Sequence, residues 1–382
     1  MNPRLLMVDD EPLALRGYQR MLFDLSGQLE MDFADSGTTA LARHEAAGFD
    51  VIVSDMRMPQ MNGLELLQRV AQRSPATARI LLTGHSDQNI SIRFTGAVQH
   101  CLHKPCDSDH LVATVLRLLA LQRAWLDPAP AALAEALPPL PDFYHATWLS
   151  QKNPTAEESV TALAKEPRAA RAAQELARDL PIIDPRATEH LDQLAGELGA
   201  DNFKALALAA GLLAQMPPAE MGPNGFVAQA RQLAIHTGRI AARLGAPLHE
   251  RQQAALAAFF LKFAEGLLAA RRPEGHAAML ETVRTSSARR EEAEKCAFGF
   301  NEEQFAARLV AEGGLAFPYI EAILLRRHPS ESQASAHDPI TAVHLALTAN
   351  RVFWPEGAYL EKDVDYLARL GLIDAEEKRW SA

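Results

Sequence analysis

The first 125 residues alternate short apolar runs with amphipathic stretches. Runs of strand length and β-branched content stand at RLLMV (4–8), DVIVS (50–54), RILLT (79–83) and VQHCLH (98–103), with a weaker one at EMDFA (30–34). Between them the apolar spacing predicts helices over 12–25, 37–47, 63–73, 87–96 and 107–125, the last capped by Asp107 or Ser108. Five strands alternating with five helices predict an α/β doubly wound fold with a five-stranded parallel sheet. In such a sheet the ligand site lies at the carboxyl ends of the strands.

The pattern changes after Trp125. A Pro/Ala-rich stretch over 126–141 has the composition of a linker, and beyond it the strand signal disappears. Helical periodicity runs over 142–152, 155–164, 167–179, 187–197, 201–215, 225–244, 248–270, 275–295, 301–312, 316–327, 338–353 and 361–370. Proline or glycine separates most of these segments, which predicts an all-helical second domain over 142–353 and a helical extension over 354–382.

Composition and charge narrow the setting. With 48% hydrophobic and 23% charged residues the chain can bury cores and need not be disordered. No run approaches the roughly 18 uninterrupted apolar residues of a membrane span, and MNPRLLMVDD meets a charged pair at once, so neither secretion nor membrane insertion is expected. Cys101, Cys106 and Cys296 offer no disulfide framework, which suits the cytoplasm. The first 141 residues carry 12 basic and 16 acidic side chains and the remainder 26 and 32, so neither half has the bulk charge of a nucleic-acid binder.

Candidate chemistry collects at the strand ends. Asp9, Asp10 and Glu11 follow the first strand, Asp55 the third, Thr83 closes the fourth and Lys104 follows the fifth. Carboxylates brought together repel one another unless a hard cation such as Mg²⁺ or Mn²⁺ sits among them. The texts MVDDEP, VIVSDMRMPQMNG, LLTGHSD and HKP, in this order, resemble the receiver domain of two-component response regulators over residues 1–125. The resemblance implies Asp55 as phospho-acceptor and Mg²⁺ held by Asp9, Asp10, Asp55 and the Arg57 backbone carbonyl. It further implies Thr83 as switch hydroxyl, Lys104 as partner of Asp55 or its phosphate, and a cis peptide after Lys104. Arg57 and His85, two residues past Asp55 and Thr83, are candidates for tuning the phosphate's lifetime. A sensor histidine kinase or phosphotransfer protein is the implied partner, and receiver dimerisation a possible response.

The stretch VQHCLHKPC (98–106) invites a zinc reading. Strand geometry sends Cys101 and His103 to one face and His100 and Lys104 to the other, which argues against a shared ion. Receivers usually carry aromatic residues where this chain has Cys101 and Cys106, which points to an altered switch.

In the second half, LPPLPDFYHATWLSQKNPTAEESVTALAKEPRAARAAQELA (137–177), EKCAFGFNEEQFAARLVAEGGLAFPYIEAILLRRHP (294–329) and DPITAVHLALTANRV (338–352) resemble the HDOD domain, a helical relative of HD-type phosphohydrolases. The resemblance implies an interaction module for a downstream protein partner. An HD hydrolase needs a first histidine, an adjacent His-Asp pair and a later aspartate for its metal. Here His236 stands at the first position, Leu261 and Lys262 at the pair, and Leu347 at the last. Loss of three ligands disfavours a metal-dependent phosphohydrolase, which would rest on His236, His328 and His344 alone. Lys262 either places a cation where the metal is lost or extends its ammonium to solvent, and the second is expected. The pairs Arg271-Arg272, Arg289-Arg290 and Arg326-Arg327 fit solvated helix faces, which disfavours a DNA-binding regulator.

Overall fold

In the computed structural model the described residues are 2–25, 27, 29–74, 77–84, 98, 100–126, 136–149, 154–180, 183–216, 225–285, 289–327, 329–331, 335–349 and 362–372. They pack as two compact units, Met1–Asp127 and Pro128–Ala382.

The first unit is built on five parallel strands, β1 (Arg4–Val8), β2 (Glu30–Ala34), β3 (Val51–Asp55), β4 (Ala78–Thr83) and β5 (His100–His103), in the order β2-β1-β3-β4-β5. The register sets Val8 beside Ser54, Asp55 beside Leu82 and Thr83 beside His103, so the carboxyl ends of β1, β3, β4 and β5 form one edge. The order reverses at β1 and β3, the place where doubly wound sheets hold ligands. Helices α1 (Pro12–Met21), α2 (Gly37–Ala47), α3 (Gly63–Arg73) and α4 (Ser108–Leu126) accompany the sheet. The expected helix over 87–96 lies outside the described residues.

Local chemistry sets the helix starts. Ser36 accepts the Thr39 N–H at 3.3 Å and Asn62 accepts the Glu65 N–H at 2.8 Å, which satisfies donors left open in the first turns of α2 and α3. Leu6, Val8, Ile52 and Leu81 from the strands and Leu66, Leu67 and Val70 from α3 are buried in one apolar cluster. Burying such a side chain stabilises by about 1.5–3 kcal/mol. That is what fixes the sheet edge on which the polar residues stand.

The second unit is helical. A short helix Asp142–Tyr144 runs into the wide turn His145–Leu149, followed by α5 (Ala156–Ala164), α6 (Pro167–Asp179), α7 (Leu191–Gln215) and α8 (Phe226–Arg243). Then come α9 (Leu248–Arg271), α10 (Pro273–Thr285), α11 (Arg290–Phe298), α12 (Glu302–Glu312), α13 (Phe317–Leu324), α14 (Pro339–Ala349) and α15 (Val364–Arg369). The segments expected at 187–197 and 201–215 meet in α7 across a kink at Gly199, whose φ of 70° suits glycine. The single helix expected over 275–295 is two, α10 and α11.

Helix α9 is long and apolar enough to cross a membrane, and every residue from Gln252 to Leu268 is buried within this unit. A helix apolar on all sides suits the centre of a helical domain. Gly266 permits its approach to α8, since a Cβ there would lie 2.5 Å from the Phe226 Cβ.

Candidate functional site

Polar side chains converge at the carboxyl edge of the sheet. Asp9 is 1% and Asp55 8% exposed, so the aliphatic strands that precede them bring both carboxylates under cover. The Lys104 ammonium lies between them, 2.8 Å from Asp9 Oδ2 and 2.5 Å from Asp55 Oδ1. The Lys104-Pro105 peptide is cis, as the resemblance implies, and the Lys104 amide donates to the Thr83 carbonyl at 2.7 Å. Burial disfavours the ammonium, but hydrogen bonds to Asp55 and Asp9 outweigh it and hold Lys104 above the ordinary lysine range.

The remaining carboxylate oxygens are held by backbone. Asp9 Oδ1 accepts the Glu11 N–H at 2.9 Å and Asp55 Oδ2 accepts the Arg57 N–H at 2.7 Å. Behind Asp55, Gly63 closes the loop by donating to the Met56 carbonyl at 3.0 Å. Only glycine fits there, because a Cβ would meet the Asp55 carbonyl oxygen at 2.0 Å. Gln60 takes a positive φ of 66° in the same loop.

The other residues singled out in the sequence stand nearby in different ways. Asp10 is half-buried, next to Asp9 in the chain. Thr83 is buried, and its hydroxyl donates to the Leu102 carbonyl at 3.4 Å. His85 and the Cys101 side chain lie outside what the structure describes. Cys106 is half-buried, and burial together with Asp107 pushes its thiol up.

The donor set fits a hard divalent cation, because carboxylate oxygens on Asp9, Asp10 and Asp55 outnumber the one ammonium. Among the described residues no three His, Cys, Asp or Glu side chains already converge as a metal cage. Lys104 instead bridges two of the acids, so a cation would share them with it. Tyr18 on α1 went unnoticed in the sequence. Its hydroxyl lies 3.4 Å from Asp9 Oδ2, and burial pushes the phenol up to about 12. The only available signal was a polar-tipped ring on the inward face of α1.

The second unit corrects three expectations. Lys262 does not reach solvent: its side chain is 3% exposed, and Nζ lies 2.5 Å from Glu265 Oε2. Arg290 and Arg326 are buried rather than solvated. Arg290 bridges Glu265 and Glu294, each at 2.7 Å, and stands 3.7 Å from Glu302, while Arg326 reaches Glu302 at 3.5 Å and Glu303 at 3.0 Å. Arg327 also pairs with Glu303. Burial opposes the Glu265 and Glu303 carboxylates, but Arg290 with Lys262, and Arg326 with Arg327, hold them below the usual range, Glu303 at about 2. Two signals were present in the sequence, an i,i+3 pair at Lys262 and Glu265 inside an aliphatic helix and an i,i+4 pair at Arg290 and Glu294.

The three histidines on which a phosphohydrolase reading would rest differ in their surroundings. His344 is fully buried, with Nδ1 2.7 Å from the Arg326 carbonyl and Nε2 accepting the Asp363 N–H at 3.1 Å. His236 is buried in α8, where burial with Arg243 and Arg239 lowers its basicity. His328 lies outside the described residues.

Sheet order, acidic edge and lysine agree with a receiver-like parallel α/β fold. The family model for the response regulator receiver domain matches residues 5–116, and that for the HDOD domain matches residues 185–329. This chain therefore carries a response regulator receiver domain followed by an HDOD domain. It is 34% identical over 136 residues to the C4-dicarboxylate transport transcriptional regulatory protein DctD of Pseudomonas aeruginosa, a match that covers 35% of this chain and 29% of that protein. It is 33% identical over 133 residues to the transcriptional regulatory protein TrcR of Mycobacterium tuberculosis, covering 34% of this chain and 50% of that one. The chain thus spans between about a third and a half of these curated relatives. A solved signal receiver domain of an HD domain-containing protein from Pseudomonas fluorescens is 32% identical, covers 32% of this chain and 99% of its own, and gives a TM-score of 0.30.

Proposed function

We propose that this chain is a phosphorylation-dependent response regulator that accepts a phosphoryl group on Asp55 and signals through a non-catalytic HDOD domain. The observation that carries this reading is the Lys104 ammonium held between Asp9 and Asp55. An Asp55 oxygen attacks the phosphorus of a phosphohistidine on a sensor histidine kinase or phosphotransfer protein. The O–P bond forms as the N–P bond breaks, and the imidazole leaves with a proton. Lys104 turns to the new phosphoryl oxygens, and the Thr83 hydroxyl exchanges the Leu102 carbonyl for them. Asp9, Asp10, Asp55 and the Arg57 carbonyl would hold Mg²⁺, which supplies neutralisation of charge on the transferring group.

The non-catalytic reading of the HDOD domain is supported by the pairing of Lys262 with Glu265 and by hydrogen bonds on both ring nitrogens of His344. The output is then a contact with a downstream protein partner, with receiver dimerisation as the accompanying change, in the cytoplasm. Labelling of the full chain by acetyl phosphate tests the acceptor, because wild type becomes labelled and Asp55→Asn does not. Equal labelling of the two would reject it. A pull-down comparing unmodified with beryllofluoride-treated protein tests the output, and an identical set of partners in both states would count against phospho-dependence.

A further inference from the structure

Asp9 Oδ2 is claimed by two donors. Lys104 lies at 2.8 Å and the Tyr18 hydroxyl at 3.4 Å, while Oδ1 is already taken by the Glu11 N–H. Asp9 is 1% exposed, so a donor that leaves it is not readily replaced by bulk water. Tyr18 is itself buried. The Tyr18 hydroxyl donates to the acceptor-only carboxylate, so it can hold Asp9 while Lys104 moves to other oxygens. Carboxylates that ligate metals depend on such supporting hydrogen bonds for their orientation.

We propose that Tyr18 is a positioning residue of the receiver pocket: its hydroxyl holds Asp9 in place of Lys104, freeing the carboxylate for a divalent cation and the ammonium for the phosphoryl group. This rests on the acceptor reading of Asp55. Without the hydroxyl, Asp9 and Lys104 keep each other, and the cation competes with the ammonium for the carboxylate.

Tyr18→Phe keeps the ring and removes only the hydroxyl. Calorimetric titration of the unphosphorylated full chain with Mg²⁺ should show affinity about tenfold weaker than wild type. The Mg²⁺ concentration for half-maximal labelling by phosphoramidate should rise by the same factor, and saturating Mg²⁺ should restore the maximal rate. A merely structural role would instead lower that maximal rate together with the melting temperature. Unchanged Mg²⁺ affinity overturns the inference. The titration decides this whether or not wild type becomes labelled, and failure of wild type to label would reject the acceptor reading instead.

Discussion

The two domains each gather charged side chains, and they do so in opposite ways. In the receiver, two buried carboxylates share one ammonium, Asp10 adds a third acid, and the Lys104 side chain is 32% exposed. In the HDOD domain four carboxyl groups, on Glu265, Glu294, Glu302 and Glu303, meet four cations, on Lys262, Arg290, Arg326 and Arg327. All of the latter but Arg327 are under 9% exposed. An acid excess at an open edge draws cations and makes its lysine movable, whereas paired charges sealed among helices hold those helices in register. The first arrangement suits chemistry and the second suits scaffolding.

The largest effect that separates them is all or none. Asp55→Asn should abolish acyl-phosphate formation and leave the receiver at least as stable as wild type, because Lys104 keeps Asp9 and one repelling carboxylate is gone. Thermal melting and acetyl-phosphate labelling of the same sample read both quantities. A marked loss of stability would mean that this pocket, too, is a scaffold.

The converse change comes next in size. Arg290→Met removes the cation shared by Glu265, Glu294 and Glu302, and loss of one partner from a buried pair costs about 3–5 kcal/mol. Urea denaturation should show that loss in the helical domain, with Asp55 labelling unaltered. A cost under about 1 kcal/mol would place the cluster with ordinary surface pairs. Smaller again is Gly63→Ala. The new Cβ would press on the Asp55 carbonyl oxygen, and such overpacking costs about 1–3 kcal/mol. It should also slow labelling, because the carbonyl belongs to the acceptor residue itself, and unaltered labelling would show that the loop yields.

The contrast also explains what the sequence revealed. Strands β1 and β2 and helices α2 and α3 have the bounds that apolar spacing predicts, and Ser36 and Asn62 cap the two helices where that pattern starts. The pocket residues stood out because each ends a strand or stands just past one, and parallel order brings strand ends together. Tyr18 stayed hidden because a helix reaches the pocket only through tertiary packing. The HDOD cluster stayed hidden for a related reason: basic pairs such as those holding Arg290 and Arg326 suit solvated surfaces, and it is tertiary packing that brings Arg290 to Glu265 on α9 and Arg326 to Glu302 and Glu303 on α12. The split between α10 and α11 was missed because 275–295 contains neither proline nor glycine after Gly275.

The smallest effect sharpens the comparison most, since it asks whether the sealed cluster is charge-balanced at all. Glu302 lies 3.5 Å from Arg326 and 3.7 Å from Arg290, and neither carboxylate oxygen takes a hydrogen bond among the described residues. Burial, opposed by Arg326, pushes its carboxyl from 4.5 up to about 8. Between those values the folded chain keeps a proton that the unfolded chain has released, so this residue's contribution to stability falls as pH rises. Glu265 and Glu303 have the opposite sign, and what they contribute is lost only below about pH 4.5. The buried histidines His44 and His236, lowered by burial, add a pH dependence of their own, but they act equally in wild type and variant. Subtraction therefore isolates Glu302. Glu302→Gln keeps the shape and cannot ionise, so its stability relative to wild type should rise from pH 5 to pH 8, by at most about 1.4 kcal/mol per pH unit. Urea midpoints at four pH values measure the difference. Parallel curves would mean that Glu302 is ionised in the folded domain and that the cluster is balanced four against four; diverging curves would mean that it holds a proton and leaves the cations one in excess.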